Sequence, residues 1–221
     1  MALFHGNETS MKCIIIANGT LGYDSKTRGV LKKADLIIAA DGGARHLKNM
    51  NIQPHAIIGD LDSIPWDTKV FFEKHQIPLL IHPSRKNNTY TDLCLDFALE
   101  KGATQIIFKG VTGKRLDHTL ANIFLLRRLS DLGIEARIMD ANNEIYLVTD
   151  KLEIQGKPGD YLSVIPVSGQ VSGLFLRGVE FPLENASLSM GSSLGISNCF
   201  KDTTAFISIT KGVLLVTKSR D

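Results

Sequence analysis

The 221-residue sequence has little cysteine and no marked excess of charge. Its three cysteines, Cys13, Cys94 and Cys199, lie far apart and form no CxxC pair, which argues against a disulfide framework and a zinc site. With 25 basic and 23 acidic residues the net charge is +2, so a basic surface for nucleic acid is not expected. We therefore expect a cytoplasmic protein with reduced cysteines that does not bind nucleic acid.

Long hydrophobic runs are also missing. The longest apolar runs are five to seven residues, whereas a helix that spans a membrane needs roughly 20. The opening residues MALFHGNETSMK lack the charged start and the apolar run of a signal peptide. No membrane partner is expected, and residues 1–11 are predicted to be a flexible extension because they show no periodicity.

From Lys12 to about Asp140, continuous apolar runs alternate with stretches of helical periodicity. This order is typical of a parallel sheet with crossover helices, and continuous runs are expected where both faces of the sheet are covered by helices. The predicted strands are residues 13–17, 36–40, 56–58, 79–81, 105–108 and 136–139, and the predicted helices are residues 66–75, 91–101 and 116–132. Residues 12–141 are therefore predicted to form an α/β domain.

After Asn142, short β-rich runs such as NEIYLVTD, KLEIQG and TAFISITKG are separated by turn residues, and no helical pattern remains. Alternating apolar and polar residues in these runs indicate strands with one buried and one exposed face. We predict that residues 142–221 form an antiparallel β-sandwich. The fold class is thus α/β followed by all-β.

Acidic residues follow several predicted strands. Asp41 follows the second strand, Asp60 and Asp62 follow the third, and Asp92 begins the helix after the fourth. Ligands of open α/β sheets bind beyond the carboxyl ends of the strands, where these side chains would converge. Crowded carboxylates repel one another unless a cation holds them, so the pattern predicts Mg²⁺ and a bound phosphate. The alternatives are an Asx turn at residues 60–62, a helix cap at Asp92 and a tight turn at Asp41.

A glycine-bearing loop, Gly110 to Gly113, precedes the last predicted helix. Its backbone N–H groups and the positive helix end suit a phosphate, and Lys114 and Arg115 add positive charge. The loop matches neither GxxxxGK[ST] nor GxGxxG. His118 is either a ligand of the same cleft or a surface residue. Arg85 and Lys86 are likewise either phosphate contacts or solvated side chains.

The β-rich half contains the segment GSSLGISN at residues 191–198. Small hydroxyl side chains and an amide suit hydrogen bonds to a flat polar ring, whereas a turn-rich hairpin is the alternative.

Five segments, in this order, resemble the thiamine pyrophosphokinases of the bacterial type. They are ADGGA at 40–44, GDLDSI at 59–64, TDLCLDFAL at 91–99, GVTGKRLDHTLAN at 110–122 and SSLGISN at 192–198. The resemblance implies a Rossmann-like N-terminal domain and a C-terminal β-sandwich. It also implies Mg²⁺-dependent transfer of the pyrophosphoryl group of ATP to the hydroxyl of thiamine, leaving AMP, in a homodimer with active sites between subunits.

The resemblance also assigns roles to individual residues. It assigns catalysis and the Mg²⁺ ion to Asp60, Asp62 and Asp92. It assigns ATP to Asp41, Asn88, Gly110, Thr112, Gly113, Arg115, Asp117 and His118, and thiamine to Phe181, Ser193, Ser197 and Asn198. Phe181 is expected to enter the pocket of the neighbouring subunit, where its ring can stack on the cationic thiazolium. Packing inside the sandwich core is the alternative for Phe181.

One position departs from the family pattern, because Thr89 stands where an acidic residue is common. Thr89 and Asn88 can act only as neutral ligands, so the number of Mg²⁺ ions stays open. Two other functions also stay open. A pyrophosphokinase for another acceptor, such as a hydroxymethyl pterin, would share the ATP half of the site. A nucleotide- or thiamine-binding regulatory module without catalysis is the second alternative, and Thr89 is the hint toward it.

Overall fold

The computed structural model describes residues 10–83 and 88–220, which form two compact units that meet in sequence between His118 and Thr119. Arg85, Lys86 and residues 1–9 of the predicted extension lie outside the described residues. Among the described helices, none combines the length and the apolar content that crossing a bilayer requires.

The first unit is built on a parallel sheet. Its strands are β1 (Lys12–Ile16), β2 (Leu36–Ala40), β3 (Ala56–Gly59), β4 (Leu79–Ile81) and β5 (Gln105–Lys109), in the spatial order β5-β1-β2-β3-β4. These neighbours all pair in parallel. The chain moves outward from β1 to β4 and then returns to the other side of β1. The topological switch point, where such sheets bind their ligands, therefore lies between β1 and β5.

Apolar sequence explains these strands. Every residue of β2 and β3 is buried, and Cys13 to Ile16 of β1 are 0% exposed. Because successive side chains of a strand point to opposite faces, such continuous burial requires cover on both faces of the sheet. The five predicted strands of this unit are confirmed to within one residue at each end.

Helices connect the strands of the first unit. They are α1 (Ser25–Leu31), α2 (Ala44–Asn49), α3 (Trp66–Lys74) and α4 (Tyr90–Glu100), and a 3-10 turn at Asp41–Gly43 leads into α2. A further helix, α5 (Leu116–Asp131), begins in this unit and continues into the second. α4 packs against β1, β2 and β3, and α2 packs against α3. The sequence predicted α3, α4 and α5 but missed α1 and α2, because helices of seven and six residues are too short to show an apolar period.

The second unit contains two antiparallel sheets. Its strands are β6 (Glu135–Met139), β7 (Asn143–Val148), β8 (Lys151–Gln155), β9 (Tyr161–Pro166), β10 (Gln170–Arg177), β11 (Leu183–Ser189), β12 (Asn198–Cys199), β13 (Thr204–Ser208) and β14 (Leu214–Ser219). Within this unit the order is β12-β9-β14-β7-β6 in one sheet and β11-β10-β13-β8 in the other.

The two sheets share one core. Val164 of β9 and Val216 of β14 belong to the same buried cluster as Leu174 of β10 and Ile207 of β13. The predicted antiparallel β-sandwich is therefore confirmed. The sequence missed β11, whose residues are mostly polar and exposed, and the two-residue β12.

Candidate active site

Three carboxylates meet at the carboxyl ends of β2 and β3. Asp41 follows β2 and Asp60 follows β3, and these two strands are paired neighbours. Asp41, Asp60 and Asp62 each have an oxygen within 4.8 Å of an oxygen of the other two. Asp41 is buried, Asp60 is half-buried and Asp62 is exposed. This carboxylate cluster is therefore open to solvent on the Asp62 side.

Local backbone geometry brings the cluster together. Asp41 adopts a left-handed conformation with φ of 47°, and its carboxylate accepts hydrogen bonds from the Leu61 N–H at 3.2 Å and from the Ser63 hydroxyl. A Cβ atom on Gly59 would lie 2.7 Å from the Cβ of Asp41. Only glycine lets the end of β3 come this close to Asp41.

The charges of the cluster oppose one another. A hydrogen bond with the Asp60 carboxylate, together with the charges of Asp60 and Asp41, raises the pKa of Asp62. The Asp62 N–H also donates to Oδ1 of Asp60 at 3.3 Å, so the predicted Asx-type bond is present in addition to the cluster. A set of hard oxygen donors that repel one another without a cation fits Mg²⁺.

Asp92 is not a member of this cluster in the described part of the chain. It occupies the third position of α4, where its Oδ2 accepts hydrogen bonds from the Thr89 N–H at 3.0 Å and from the Thr89 hydroxyl. The Thr89 hydroxyl accepts in turn from the Asp92 N–H at 3.1 Å, which completes a capping box. Thr89 is thus the N-cap of α4, and Asn88 is an exposed residue just before it.

The glycine-bearing loop at 110–113 lies at the topological switch point. Gly110 begins it with φ of 65°. The Gly19 N–H donates to the Gly110 carbonyl at 2.6 Å, and the Thr20 N–H donates to the Thr112 carbonyl at 3.0 Å. A Cβ atom on Gly19 would lie 2.2 Å from the Thr112 oxygen, so this contact between two backbones requires glycine. Thr112 is half-buried and Gly113 is exposed.

Beyond this loop, Arg115 pairs with Asp117. The guanidinium Nε donates to Oδ1 of Asp117 at 3.1 Å, and a terminal nitrogen donates to Oδ2. This partner lowers the pKa of Asp117 to about 2. Both side chains are mostly exposed, and so is His118. Arg115 is therefore accessible to a phosphate.

In the second unit, Asn198 and Phe181 lie together. Asn198 is buried and 4% exposed, and its side-chain amide donates to the Phe181 carbonyl at 2.7 Å and accepts from the Phe181 N–H at 3.1 Å. The Phe181 ring is 72% exposed, so it is not part of the sandwich core. Ser193 and Ser197 are exposed, and the Ser197 N–H donates to the Ser163 hydroxyl at 3.0 Å.

Sequence reasoning missed residues 18–20 and their support. Their signal was a run of small and polar residues, NGT, which begins two residues after the end of the largely buried β1. It also missed His46, which is 4% exposed and bonded to the Gly19 carbonyl. A histidine five residues after Asp41 carries no signal of that contact, because the contact depends on how α2 packs.

Two family models match the chain. The model described as "Thiamin pyrophosphokinase, catalytic domain" matches residues 27–138, and that described as "Thiamin pyrophosphokinase, vitamin B1 binding domain" matches residues 149–214. The chain belongs to the thiamin pyrophosphokinase family. The catalytic model covers the carboxylate cluster and the 110–113 loop, and the vitamin B1 binding model covers Phe181 and Asn198.

Relatives of this family match along almost the whole chain. A thiamine pyrophosphokinase of Bacillus subtilis is 34% identical over 96% of this chain and 100% of its own length. A crystal structure of the thiamine pyrophosphokinase from Bacillus subtilis has a TM-score of 0.87 at 32% identity, covering 95% of this chain and 99% of that one. The thiamin pyrophosphokinase structure from Geobacillus thermodenitrificans has a TM-score of 0.83 at 28% identity, covering 96% and 98%. The predicted family is therefore confirmed.

Proposed function

We propose that this protein is a thiamine diphosphokinase, which transfers the pyrophosphoryl group of ATP to the hydroxyl of thiamine and yields thiamine diphosphate and AMP. The observation that carries the proposal is a carboxylate cluster at the ends of β2 and β3, in a chain of the thiamin pyrophosphokinase family. The 110–113 loop at the switch point of the same sheet supports it. Asn18 lies between the cluster and the loop. Its side-chain nitrogen is so close to Gly42, the residue after Asp41, that a Cβ atom on Gly42 would lie 2.3 Å from it, and the next residue, Gly19, bonds Gly110.

The carboxylate cluster is our proposed Mg²⁺ site. Asp60 and Asp62 would hold the ion, with Asp41 beside them. A bound Mg²⁺ supplies positive charge that offsets the charge of the triphosphate. Asp92 is proposed as a further ligand. Its capping bonds are compatible with that role, since an ionised carboxylate has about four acceptor sites on its two oxygens.

The residues of the chain would act mainly by positioning. The thiamine hydroxyl oxygen forms a bond to the β-phosphorus, and the bond from this phosphorus to the oxygen shared with the α-phosphorus breaks, so that AMP leaves. We assign acceptance of the hydroxyl proton to one of the clustered carboxylates. The N–H groups of residues 110–113 would bind phosphate oxygens, and the Arg115 guanidinium would add charge-assisted hydrogen bonds. Asp117, His118 and Asn88 complete the proposed nucleotide contacts.

The acceptor half of the proposal rests on the exposed Phe181 ring. Asn198 fixes the main chain of Phe181, and Ser193 and Ser197 offer hydroxyl groups on the surface of the same unit. We propose a homodimer in which Phe181 enters the pocket of the partner subunit and stacks on thiamine. A cytoplasmic location is also proposed, since the three cysteines form no disulfide in the described part of the chain.

An acceptor panel tests the proposed function. The protein is incubated with ATP and Mg²⁺ and, in parallel, with thiamine, with a hydroxymethyl pterin or with no acceptor, and AMP is quantified by chromatography. AMP formation that depends on thiamine supports the proposal. AMP formation that depends on the pterin would reassign the acceptor, and calorimetric binding of ATP or thiamine without AMP would identify a regulatory module.

A further inference from the structure

A buried histidine bonds α2 to the residues that follow β1. His46 lies within α2 and is 4% exposed. Its Nε2 lies 2.9 Å from the Gly19 carbonyl oxygen, and its Nδ1 lies 2.8 Å from the Tyr23 hydroxyl. The Asn49 side-chain amide donates to the same hydroxyl at 3.1 Å. Both ring nitrogens of His46 are therefore bonded to the protein.

The partners determine where the protons are. A carbonyl oxygen can only accept, so Nε2 of His46 carries the proton and donates it to Gly19. Nδ1 is then an acceptor for the Tyr23 hydroxyl, whose oxygen accepts from Asn49. Burial lowers the pKa of His46, which favours this neutral form. The bonds run in one direction, from Asn49 through Tyr23 and His46 to Gly19.

Gly19 connects this chain of bonds to the proposed nucleotide loop. Its carbonyl accepts from His46, while its N–H donates to the Gly110 carbonyl at 2.6 Å. The neighbouring Arg45 guanidinium donates to the Asn18 carbonyl at 3.3 Å, so two consecutive residues of α2 bond the same segment. α2 also continues directly from the 3-10 turn that contains Asp41. The 3-10 turn thus contributes Asp41 to the carboxylate cluster, and Arg45 and His46 of the helix that follows it bond residues 18 and 19.

We infer that His46 is a positioning residue. Its imidazole fixes the position of residues 18–20, and through them that of the 110–113 loop, relative to the carboxylate cluster. The inference rests on the proposed function, because it assumes that ATP binds between these loops and the cluster. His46 would act on the nucleotide through the backbone of Gly19, to which its Nε2 donates, while the bond from Tyr23 to Nδ1 orients the ring. The proposed thiamine contacts, Phe181, Ser193, Ser197 and Asn198, are residues of the second unit, so binding of thiamine would depend little on His46.

Three variants at this chain of bonds test the inference through steady-state kinetics. For His46→Ala we expect a rise of about tenfold in the KM for ATP, as loss of a buried hydrogen bond implies, with the KM for thiamine within about twofold of the wild-type value. His46→Gln should recover most of the loss, because its amide can donate to Gly19 and accept from Tyr23. Tyr23→Phe removes a single hydroxyl from a half-exposed ring and should give a smaller rise in the same constant.

His55→Gln is the matched control. The Nδ1 of His55 accepts from the Ile37 N–H at 2.9 Å, so this histidine also bonds the backbone. It lies at the amino end of β3, however, whereas the proposed site lies at the carboxyl ends of the strands. Its KM values should equal those of the wild type. A second readout is exchange of the Gly19 and Thr20 amide protons by NMR, which should be faster in His46→Ala and unchanged in His55→Gln.

An unchanged KM for ATP and unchanged Gly19 and Thr20 exchange in His46→Ala would overturn the inference. Equal losses for ATP and thiamine without recovery in His46→Gln would do the same, since they indicate a general structural role. If the wild-type protein forms no AMP, the proposed function fails separately. The amide exchange and the calorimetric affinity for ATP then still decide the role of His46.

Discussion

At the scale of single residues, side chains predicted to bind ligands also have structural roles. Asp92 caps α4 together with Thr89, and Asn198 fixes the main chain of Phe181. The ligand roles that the sequence motifs indicated for these residues remain predictions. The sequence predicted that Asp41, Asp60, Asp62 and Asp92 would converge, and the structure brings the first three together. It did not predict the left-handed backbone at Asp41, which, with the close approach at Gly59, forms that contact.

Asp62→Asn should abolish turnover while leaving the protein folded. Asp62 is exposed and its charge is opposed by Asp60 and Asp41, so its removal does not weaken the core. We expect AMP formation to fall by at least about a hundredfold, with an unchanged thermal midpoint. Asp67→Asn, which removes another exposed carboxylate that pairs with Lys48, is the control. Near-normal activity in Asp62→Asn would remove this residue from the metal site.

Thr89→Asp should change the dependence of turnover on Mg²⁺. Aspartate caps helices as well as threonine does, so α4 stays capped while the new carboxylate adds negative charge beside Asp92. We expect half-maximal AMP formation at a lower Mg²⁺ concentration. Thr89→Ser keeps the helix cap and adds no charge, so its Mg²⁺ titration should match that of the wild type. Identical titrations for Thr89→Asp and the wild type would contradict a role for this position near the metal.

At the scale of helices and strands, the continuous apolar runs were sufficient to predict β1 to β5, and the apolar spacing was sufficient for α3 to α5. The elements that the sequence did not predict were missed for one physical reason. They are short or polar, and helix caps and contacts with neighbouring elements stabilise them rather than a periodic apolar face. α1 is an example. Its N-cap is Asp24, whose carboxylate accepts from the Thr27 N–H at 2.6 Å.

The stability that Asp24 provides should depend on pH. The Thr27 N–H lowers the pKa of Asp24 below its usual value, so the folded state favours the ionised form. This stabilisation is fully present above the pKa of the unfolded chain and is lost as the pH falls through the lower pKa of the folded protein. In urea unfolding at neutral pH, Asp24→Ala should lose about 1 kcal/mol.

Asp24→Asn separates the charge from the cap. Asparagine caps helices about as well as aspartate but does not titrate, so this variant should stay close to the wild type at neutral pH. The deficit of Asp24→Ala relative to the wild type should shrink in acid, whereas its deficit relative to Asp24→Asn should persist. A deficit from the wild type that is constant between neutral and acidic pH would contradict a charge-dependent cap.

At the scale of the whole molecule, the sequence predicted an α/β unit followed by a β-sandwich, and both are present. What it could not give is the switch point between β1 and β5, because strand order is a property of the assembled sheet. Residues 18–20 follow β1 and therefore lie at this switch point, beside the 110–113 loop that follows β5. In the proposed homodimer, a second copy of the chain would cover the exposed Phe181 ring.

Mixing two defective variants tests that assembly. If active sites lie between subunits, Asp62→Asn and Phe181→Ala damage opposite halves of each site. Each variant alone should be weakly active at low thiamine concentration. After joint unfolding and refolding in equal amounts, about a quarter of the sites should be intact in a symmetric dimer, so activity should reappear. Activity no higher than the mean of the two variants would contradict active sites shared between subunits.

The fate of the β-phosphorus of ATP tests the central claim most directly. The wild-type protein is incubated with thiamine, Mg²⁺ and ATP that is radiolabelled at the β-phosphorus, and the products are separated by chromatography. Pyrophosphoryl transfer predicts that all of the transferred label is in thiamine diphosphate and that AMP is unlabelled. Labelled ADP together with unlabelled thiamine monophosphate would mean attack at the γ-phosphorus, and the proposed pyrophosphoryl transfer would then be wrong.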